Sequence, residues 1–330
     1  MDVAACILRR MASPSMLVVG AGRLGTALAL GLARGGWRVA AYARGARGRA
    51  ALRRRGIASG RLADAGRFDL VFLAVPDEQV EPAARSVAPH LRRGQVVAHG
   101  SGALPLAPLA IVRARGAHAG SLHPMQALAG GPLAAGVTAA LDGDRPALRL
   151  LSRAARDLRL SPVRVPERGR AQYHAASAIA ANLCMALADL AAETWVAAGA
   201  PRRRAIPAIV PLLRGAVENL AARGLPEALT GPVSRGDAQT VERHLRALDG
   251  PDAEVYRLLS LRLVRVARQG GLGPRKAAAV RRALRRSDDA LVAPRRIREA
   301  PGARPRPRAR PPGRGRRGAR HRRSTARARR

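Results

Sequence analysis

In the first half of the chain, short apolar runs alternate with stretches of helical rhythm. The run "MLVV" at 16–19 opens the pattern. An alanine- and leucine-rich helix follows and stops at Gly35-Gly36, and a second strand runs from Arg38 to Tyr42. Further strand-like runs lie in "FDLVFLAVPDEQV" at 68–80, "GQVVAHGSGALP" at 94–105 and "GAHAGSLHPMQAL" at 116–128. The segments "GVTAALDGD" at 136–144 and "SPVRV" at 161–165, with a helix from about Arg145 between them, complete the set. Strands alternating with helices at this spacing predict β–α–β units in one open sheet. From about Glu167 the strand signals stop. The stretch 170–200 reads as one long, mostly buried helix, and further helices are predicted at about 202–223, 237–249, 251–268 and 274–286.

Between the first strand and the first helix stands "GAGRLG", residues 20–25. Strand, glycine loop, helix and strand in that order form the context a dinucleotide-binding fingerprint needs. Gly20 makes the tight turn, Gly22 lets a pyrophosphate approach the backbone, and Gly25 seats the helix against the strand. Arg23 and Leu24 lie in the same loop, where free N–H groups at the helix start favour phosphate. At the end of the second strand no acidic residue is available for a ribose hydroxyl. Arg44, helped by Arg47, suits a 2′-phosphate instead, which favours NADP over NAD. Val75 and Pro76, after the next strand, are expected to line the cofactor pocket.

Composition narrows the alternatives. The net charge is +38, but Lys276 is the only lysine among 60 basic residues, so the excess is arginine and resembles the coding bias of a GC-rich genome. From Arg295 onward the tail holds 16 arginines against Glu299, which contributes about +15. A Pro/Gly/Arg segment cannot bury a core, and it binds polyanions only non-specifically. Aromatic residues are 2% of the chain, too few for stacking on bases, so no specific nucleic-acid partner is expected. Two cysteines offer neither a disulfide framework nor a zinc spacing, no metal is expected, and a cytoplasmic location follows from that usage. Asp189 and Glu193 interrupt the longest apolar stretch, so no membrane span is expected.

In an open parallel sheet, ligands lie beyond the carboxyl ends of the strands. His99, Ser101 and Gly102 follow one predicted strand and His123 ends another, so all four fall where a substrate should lie. On the long helix His174, Ala178 and Asn182 recur every four residues and share a face. Asn182 reads as a buried amide in need of a partner. In "LTGPVSRGDAQTVERHL" at 229–245 the helical rhythm breaks. Asp237 is a good N-cap, Val241, Leu245 and Leu248 form a buried stripe, and Arg235 is free to meet a substrate carboxylate.

Several of these segments also carry a family likeness. "GAGRLG" at 20–25, "LAVPD" at 73–77, "HGSG" at 99–102, "SLHPMQ" at 121–126, "YHAAS" at 173–177 with Asn182, and "LTGPVSRGD" at 229–237 with His244 resemble proteins that join a Rossmann-like domain to a DUF2520 domain. That family is related to pyrroline-5-carboxylate reductases, ketopantoate reductases and 6-phosphogluconate dehydrogenase-like enzymes. The resemblance implies an α/β Rossmann domain with a mostly parallel sheet, followed by an all-α domain like the 6-phosphogluconate dehydrogenase C-terminal domain. The corresponding boundaries are a disordered extension at 1–15 (or a later start, at Met11 or Met16), a Rossmann NADP-binding domain at 16–166, a helical substrate and dimerisation domain at 167–290, and a disordered arginine-rich tail at 291–330. The implied activity is NAD(P)H-dependent reduction of a small oxo-acid or imine, with a ketopantoate-like substrate in view and a homodimer formed through the helical domain. One departure stands out. Relatives in the wider superfamily use a lysine on the first long helix as general acid, with an asparagine four residues on, and here no lysine is available. Histidine is the alternative near neutral pH, with His123 the first candidate and His174 the second. The absent lysine also leaves room for a non-catalytic NADP-binding sensor or scaffold.

Overall fold

The computed structural model describes residues 13–285. The expected extension, apart from its last three residues, the candidate start at Met11 and the arginine-rich tail lie outside the described residues. The first elements are β1 (Ser15–Val19), α1 (Arg23–Arg34), β2 (Arg38–Tyr42), α2 (Ala46–Arg54), β3 (Ala58–Ser59), β4 (Leu70–Leu73), α3 (Val80–Val87), β5 (Val96–His99), α4 (Ala110–Ala114), β6 (His118–Pro124), β7 (Thr138–Gly143), α5 (Arg145–Asp157) and β8 (Ser161–Arg164). Helices alone follow: α6 (Arg170–Ala197), α7 (Arg202–Arg223), α8 (Pro232–Arg235), α9 (Ala238–Ala247), α10 (Gly250–Gln269) and α11 (Pro274–Arg285).

The eight strands form one sheet in the order β3-β2-β1-β4-β5-β6-β7-β8. This is the doubly wound order, extended at its far edge. Every neighbouring pair is parallel except β6 and β7, which pair antiparallel with His123 opposite Ala140. The central strands are covered on both faces: all five residues of β1 and all four of β4 and of β5 are buried. One apolar cluster, around Met16, Leu28, Leu32, Phe72 and Leu151, fills one face, and a second, around Leu17, Val71, Val80, Val97 and Leu109, fills the other. Near-continuous Val/Leu/Ala runs, rather than alternating patterns, are what two covered faces require.

The described chain forms two compact units, divided between Arg214 and Gly215. The expected boundary at 166/167 therefore falls inside the first unit, which also holds α6 and the first part of α7. In the second unit, Val241, Leu245, Val264, Leu272, Val280 and Leu284 form the core. Leu248, the third member of the expected stripe, is only half-buried.

The long helix α6 departs from expectation. Of its 28 residues only Arg170 and Ala192 are buried. Ile179 is 61% exposed, Leu183 54% and Met185 63%. The predicted mostly buried helix is thus apolar but uncovered in the single chain. Ala192 packs with Ala205 and Ile209 of α7, while Ile206, Val210 and Leu212 of α7 stay exposed. By length and mean hydropathy both 167–197 and 202–223 are long and apolar enough to cross a membrane, despite Asp189 and Glu193. Core helices of soluble proteins meet the same measure of length and composition.

Candidate active site

The glycine loop has the geometry its spacing predicts. Gly20 sits at φ +123°, and a Cβ there would stand 2.2 Å from the Ala74 carbonyl oxygen. A Cβ at Gly25 would meet the Gly20 carbonyl oxygen at 2.5 Å, so the helix touches the turn directly. Gly22 has open space around it and is the N-cap of α1, with no side chain capping the helix. Uncapped N–H groups facing open space at a helix start form an anion cradle. A dinucleotide fits these residues.

Two cavities open along this loop, both within the first unit. One, of about 420 Å³, is lined by Gly20, Ala21, Tyr42, Arg44, Val75 and Gln79 among others. Arg44 is exposed, and its guanidinium makes no hydrogen bond among the described residues. Arg47, its expected helper, does not line the cavity. The second cavity, of about 860 Å³, shares Val75 and Pro76 with the first. It brings together Gly22, Arg23, Leu24, Ser101, His123, His174 and Asn182. Arg23 also donates from Nη1 to the Leu128 carbonyl at 2.8 Å, which ties the loop after β6 to the glycine turn.

The predicted histidines separate into two kinds. His99 is wholly buried. Its Nδ1 accepts from the Ser101 N–H at 3.2 Å and its Nε2 lies 3.2 Å from the Pro105 carbonyl. Burial, with the Arg170 charge second, pushes its pKa down to about 4. With both ring nitrogens spent on backbone and no place in the cavity wall, His99 shapes the turn after β5. It does not line the cleft in which it was expected to meet a substrate. His123 does line the cleft, with its Nδ1 2.9 Å from the Tyr173 hydroxyl and its ring 6.0 Å from that of His174. Burial lowers its pKa to about 4, with the His174 ring and the Arg170 charge adding to the shift. Among the described residues nothing hydrogen-bonds its Nε2.

Two other expectations change. Gly102 does not line the cavity. A Cβ there would stand 2.7 Å from the His174 ring and 2.9 Å from that of His123, so glycine makes room for the histidine pair. Asn182 lines the cleft on the same face of α6 as His174 and Ala178, but it is exposed rather than buried. The buried amide is Gln95, whose Nε2 donates to the Ala65 and Phe68 carbonyls at 2.6 and 2.8 Å and whose Oε1 accepts from the Arg92 N–H. Ser101 lines the cleft, but its hydroxyl donates to Asp77 Oδ2 at 2.9 Å and accepts from the N–H groups of Ala103 and Leu104. Little of that hydroxyl remains for a ligand.

Arg235 belongs to the second unit. Instead of standing in a loop, it is the exposed last residue of the four-residue helix α8, which ends at Gly236 with φ +74°. Asp237 caps α9 as expected, its Oδ1 accepting from the Thr240 N–H at 3.0 Å. That bond holds its carboxyl below the usual carboxylate range.

Sequence reasoning missed Arg170 and undervalued Tyr173 and Asp77. Tyr173 forms a local i, i+4 pair with Ser177, whose Oγ donates to the Tyr173 carbonyl at 3.2 Å. The long-range contact with His123 had no local signal. Asp77 stands in the "LAVPD" motif, but its bond to Ser101 joins residues 24 apart.

A doubly wound sheet with an open glycine cradle and a polar cleft beside it defines a dinucleotide-binding protein. Residues 6–124 match the Rossmann-like domain, and residues 137–263 match the domain of unknown function DUF2520. The chain therefore joins a Rossmann-like domain to a DUF2520 domain. Among curated proteins, none matches the chain. Among solved structures, protein TM1727 from Thermotoga maritima is 25% identical, covers 77% of this chain and 99% of its own, and superposes with a TM-score of 0.63. A semialdehyde dehydrogenase NAD-binding protein from Cupriavidus necator, solved with calcium and NAD, is 21% identical over 77% of this chain and 100% of its own, with a TM-score of 0.56. The 1-pyrroline-5-carboxylate reductase from Streptococcus pyogenes is 15% identical over 84% of this chain and 99% of its own, with a TM-score of 0.51. At such identities the shared property is the fold.

Proposed function

We propose that this protein is an NADP-dependent oxidoreductase that reduces a C=O or C=N group of a small oxo-acid or imine in the 860 Å³ cleft. The observation that carries the reading is the His123–Tyr173–His174 cluster placed beside the open glycine cradle. Of the solved relatives, one is named as an NAD-binding protein and another as a reductase, which supports a nicotinamide-dependent reductase, and Arg44 is what favours NADP. When bound, the reduced nicotinamide supplies hydride. Gly22 and the first turn of α1 hold the pyrophosphate, and Arg44 pairs with a 2′-phosphate.

The chain's own contribution is a neutral imidazole. With a pKa of about 4, His123 carries no charge near neutral pH. The Tyr173 hydroxyl lies 2.9 Å from Nδ1 and 3.4 Å from the His123 carbonyl; in the proposed tautomer it donates to the nearer Nδ1 and the ring proton is on Nε2. That N–H polarises the substrate's oxygen or nitrogen as charge develops there, so hydrogen-bond donation replaces the lysine of the wider superfamily. His174, exposed on the opposite wall, delivers the proton that completes reduction. The test is NADPH oxidation across a panel of oxo-acids and cyclic imines. His123→Ala is expected to lower turnover about 100-fold or more, in the range general acid–base groups supply, with NADPH affinity retained. Unchanged turnover in both His123→Ala and His174→Ala would remove the assignment. NADPH binding with no turnover on any substrate would favour a sensor.

We also infer that a second copy of this chain covers the exposed apolar face of α6 and α7. Burying a leucine or isoleucine contributes about 1.5–3 kcal/mol, so Ile179, Leu183, Met185, Ile206, Val210 and Leu212 together favour cover over water. A protein partner fits better than lipid, because α6 also carries Ser177 and Asn182 into the aqueous cleft and Asp189 and Glu193 along its length.

A further inference from the structure

We propose that Arg170 is a positioning residue of the cleft, tying the start of α6 to the turn after β5 and to the middle of β6 so that Tyr173 and His174 meet His123. The inference gives Arg170 a role within the reductase reading, but its test below does not depend on turnover.

Little else holds that end of α6. A helix is normally located by its apolar stripe. Here Arg170 and Ala192, some six turns apart, are the only buried residues of α6, so no apolar packing sets the rotation of its first turns. Arg170 is 3% exposed. Its Nη1 donates to Ser121 Oγ at 2.6 Å and its Nη2 to the Ser101 carbonyl at 2.6 Å. Ser121 is itself wholly buried, in β6, two residues before His123, and Ser101 follows the end of β5. Two bonds from one planar fork, one to β6 and one to the turn after β5, fix direction as well as distance. A lysine ammonium has no such geometry.

Tyr173 and His174 stand three and four residues after Arg170, hence on the same face of the helix. The fork thus points that face at His123, where the Tyr173 hydroxyl and the His174 ring arrive at 2.9 Å and 6.0 Å. The arrangement is expensive as a mere fastening. A buried guanidinium loses hydration, and among the described residues Arg170 Nε has no hydrogen-bond partner. Asp142, buried on β7 opposite Ser121, offsets part of that charge. An apolar residue would anchor the helix without an orphaned donor, but it could not bond a carbonyl in the turn after β5 and a hydroxyl on β6.

The test is the protonation pattern of the His123 ring, read by long-range ¹H–¹⁵N NMR on the full chain at pH 7 and assigned with His123→Gln. The native protein is expected to show one neutral tautomer, with the proton on Nε2. In Arg170→Met that single-tautomer signature is expected to be lost, with the ring exchanging between both forms. Arg170→Lys is expected to fall between the two, because charge is kept but the planar two-nitrogen fork is lost. Ser121→Ala removes one prong of the fork and should loosen the tautomer in the same direction; it carries the test alone if circular dichroism shows Arg170→Met to be unfolded. A single, unchanged tautomer in Ser121→Ala and in folded Arg170→Met would overturn the proposal, even if both variants melt earlier. A chain with no NADPH turnover would sink the reductase reading and leave this result standing.

Discussion

The sheet and the two longest helices solve opposite problems with similar residues. The strands β1, β4 and β5 are mostly apolar runs, closed by His99 in β5, with every residue buried inside their own unit. Helices α6 and α7 are runs of Ala, Leu and Ile with almost none buried. The sheet is complete as a single chain, whereas the helices present their apolar side outward. A rigid, self-sufficient sheet can therefore carry the exact contacts of the glycine turn. The opposite wall of the cleft hangs on a few polar bonds and on whatever covers the helices.

The sharpest way to break the sheet side is Gly20→Ala. Backbone strain at φ +123° costs about 1–3 kcal/mol, and contact with the Ala74 carbonyl adds to it. NADPH binding by calorimetry should be lost and Tm should fall steeply. Gly22→Ala, where space is open, should keep Tm nearly unchanged and weaken NADPH alone. Equal effects from the two would mean that the turn is not what confines Gly20.

Acid tests the same buried side. His99 and His123 have folded pKa values of about 4, while an unfolded histidine titrates near 6.5. Below about pH 6.5 the unfolded chain therefore binds protons that the folded chain refuses. Their stabilising contribution is complete above that pH and declines as pH falls toward 4. The loss is on the order of 3 kcal/mol for each ring. Urea melts at pH 7, 5.5 and 4.5 should show that decline, and its flattening in His123→Gln would assign part of it.

On the helix side, Ile179→Glu with Leu183→Glu should convert a dimer to a monomer in light scattering. A folded monomer should lose little stability, since substitutions at exposed positions usually stay within about 0.5 kcal/mol. A native protein that is already monomeric, or that floats with lipid vesicles, would overturn the second copy as the cover. The smallest expected change is in cofactor choice. Arg44→Ala should weaken NADPH about 10- to 100-fold and leave NADH unaffected, as one charge-assisted phosphate pairing allows. Equal weakening of both would unseat Arg44 as the 2′-phosphate partner.

Local features were legible in advance and distant ones were not. The glycine turn, the strand runs, the Asp237 cap and the shared face of His174, Ala178 and Asn182 all depend on residues within a few positions of one another. Periodicity and turn chemistry report those directly. Arg170 gave no sign, because one arginine among 59 looks like any other until its two partners, 49 and 69 residues away, are known. His99 and His123 ended adjacent strands and looked alike. Which one faces the cleft depends on the turn after each strand. The burial of α6 was misjudged because an apolar sequence says that a helix needs cover, not which molecule provides it.

The one antiparallel neighbour pair, β6 with β7, has a consequence for how this protein can change. A parallel successor would have sent the chain back across the sheet through a crossover helix. Because β7 runs the other way, residues 125–137 turn round at the carboxyl end of β6, and Met125 to Ala129 form a rim on the cleft. That segment is held by Arg23 on Leu128, by Gln126 on Pro132 and Ala134, by the Met125 N–H on the Thr138 carbonyl and by Leu133 packed against the core. Surface connections of this kind tolerate insertion and drift. Residues 127–133 are thus where the scope of accepted molecules can evolve while the sheet, the nucleotide cradle and the histidine pair stay as they are.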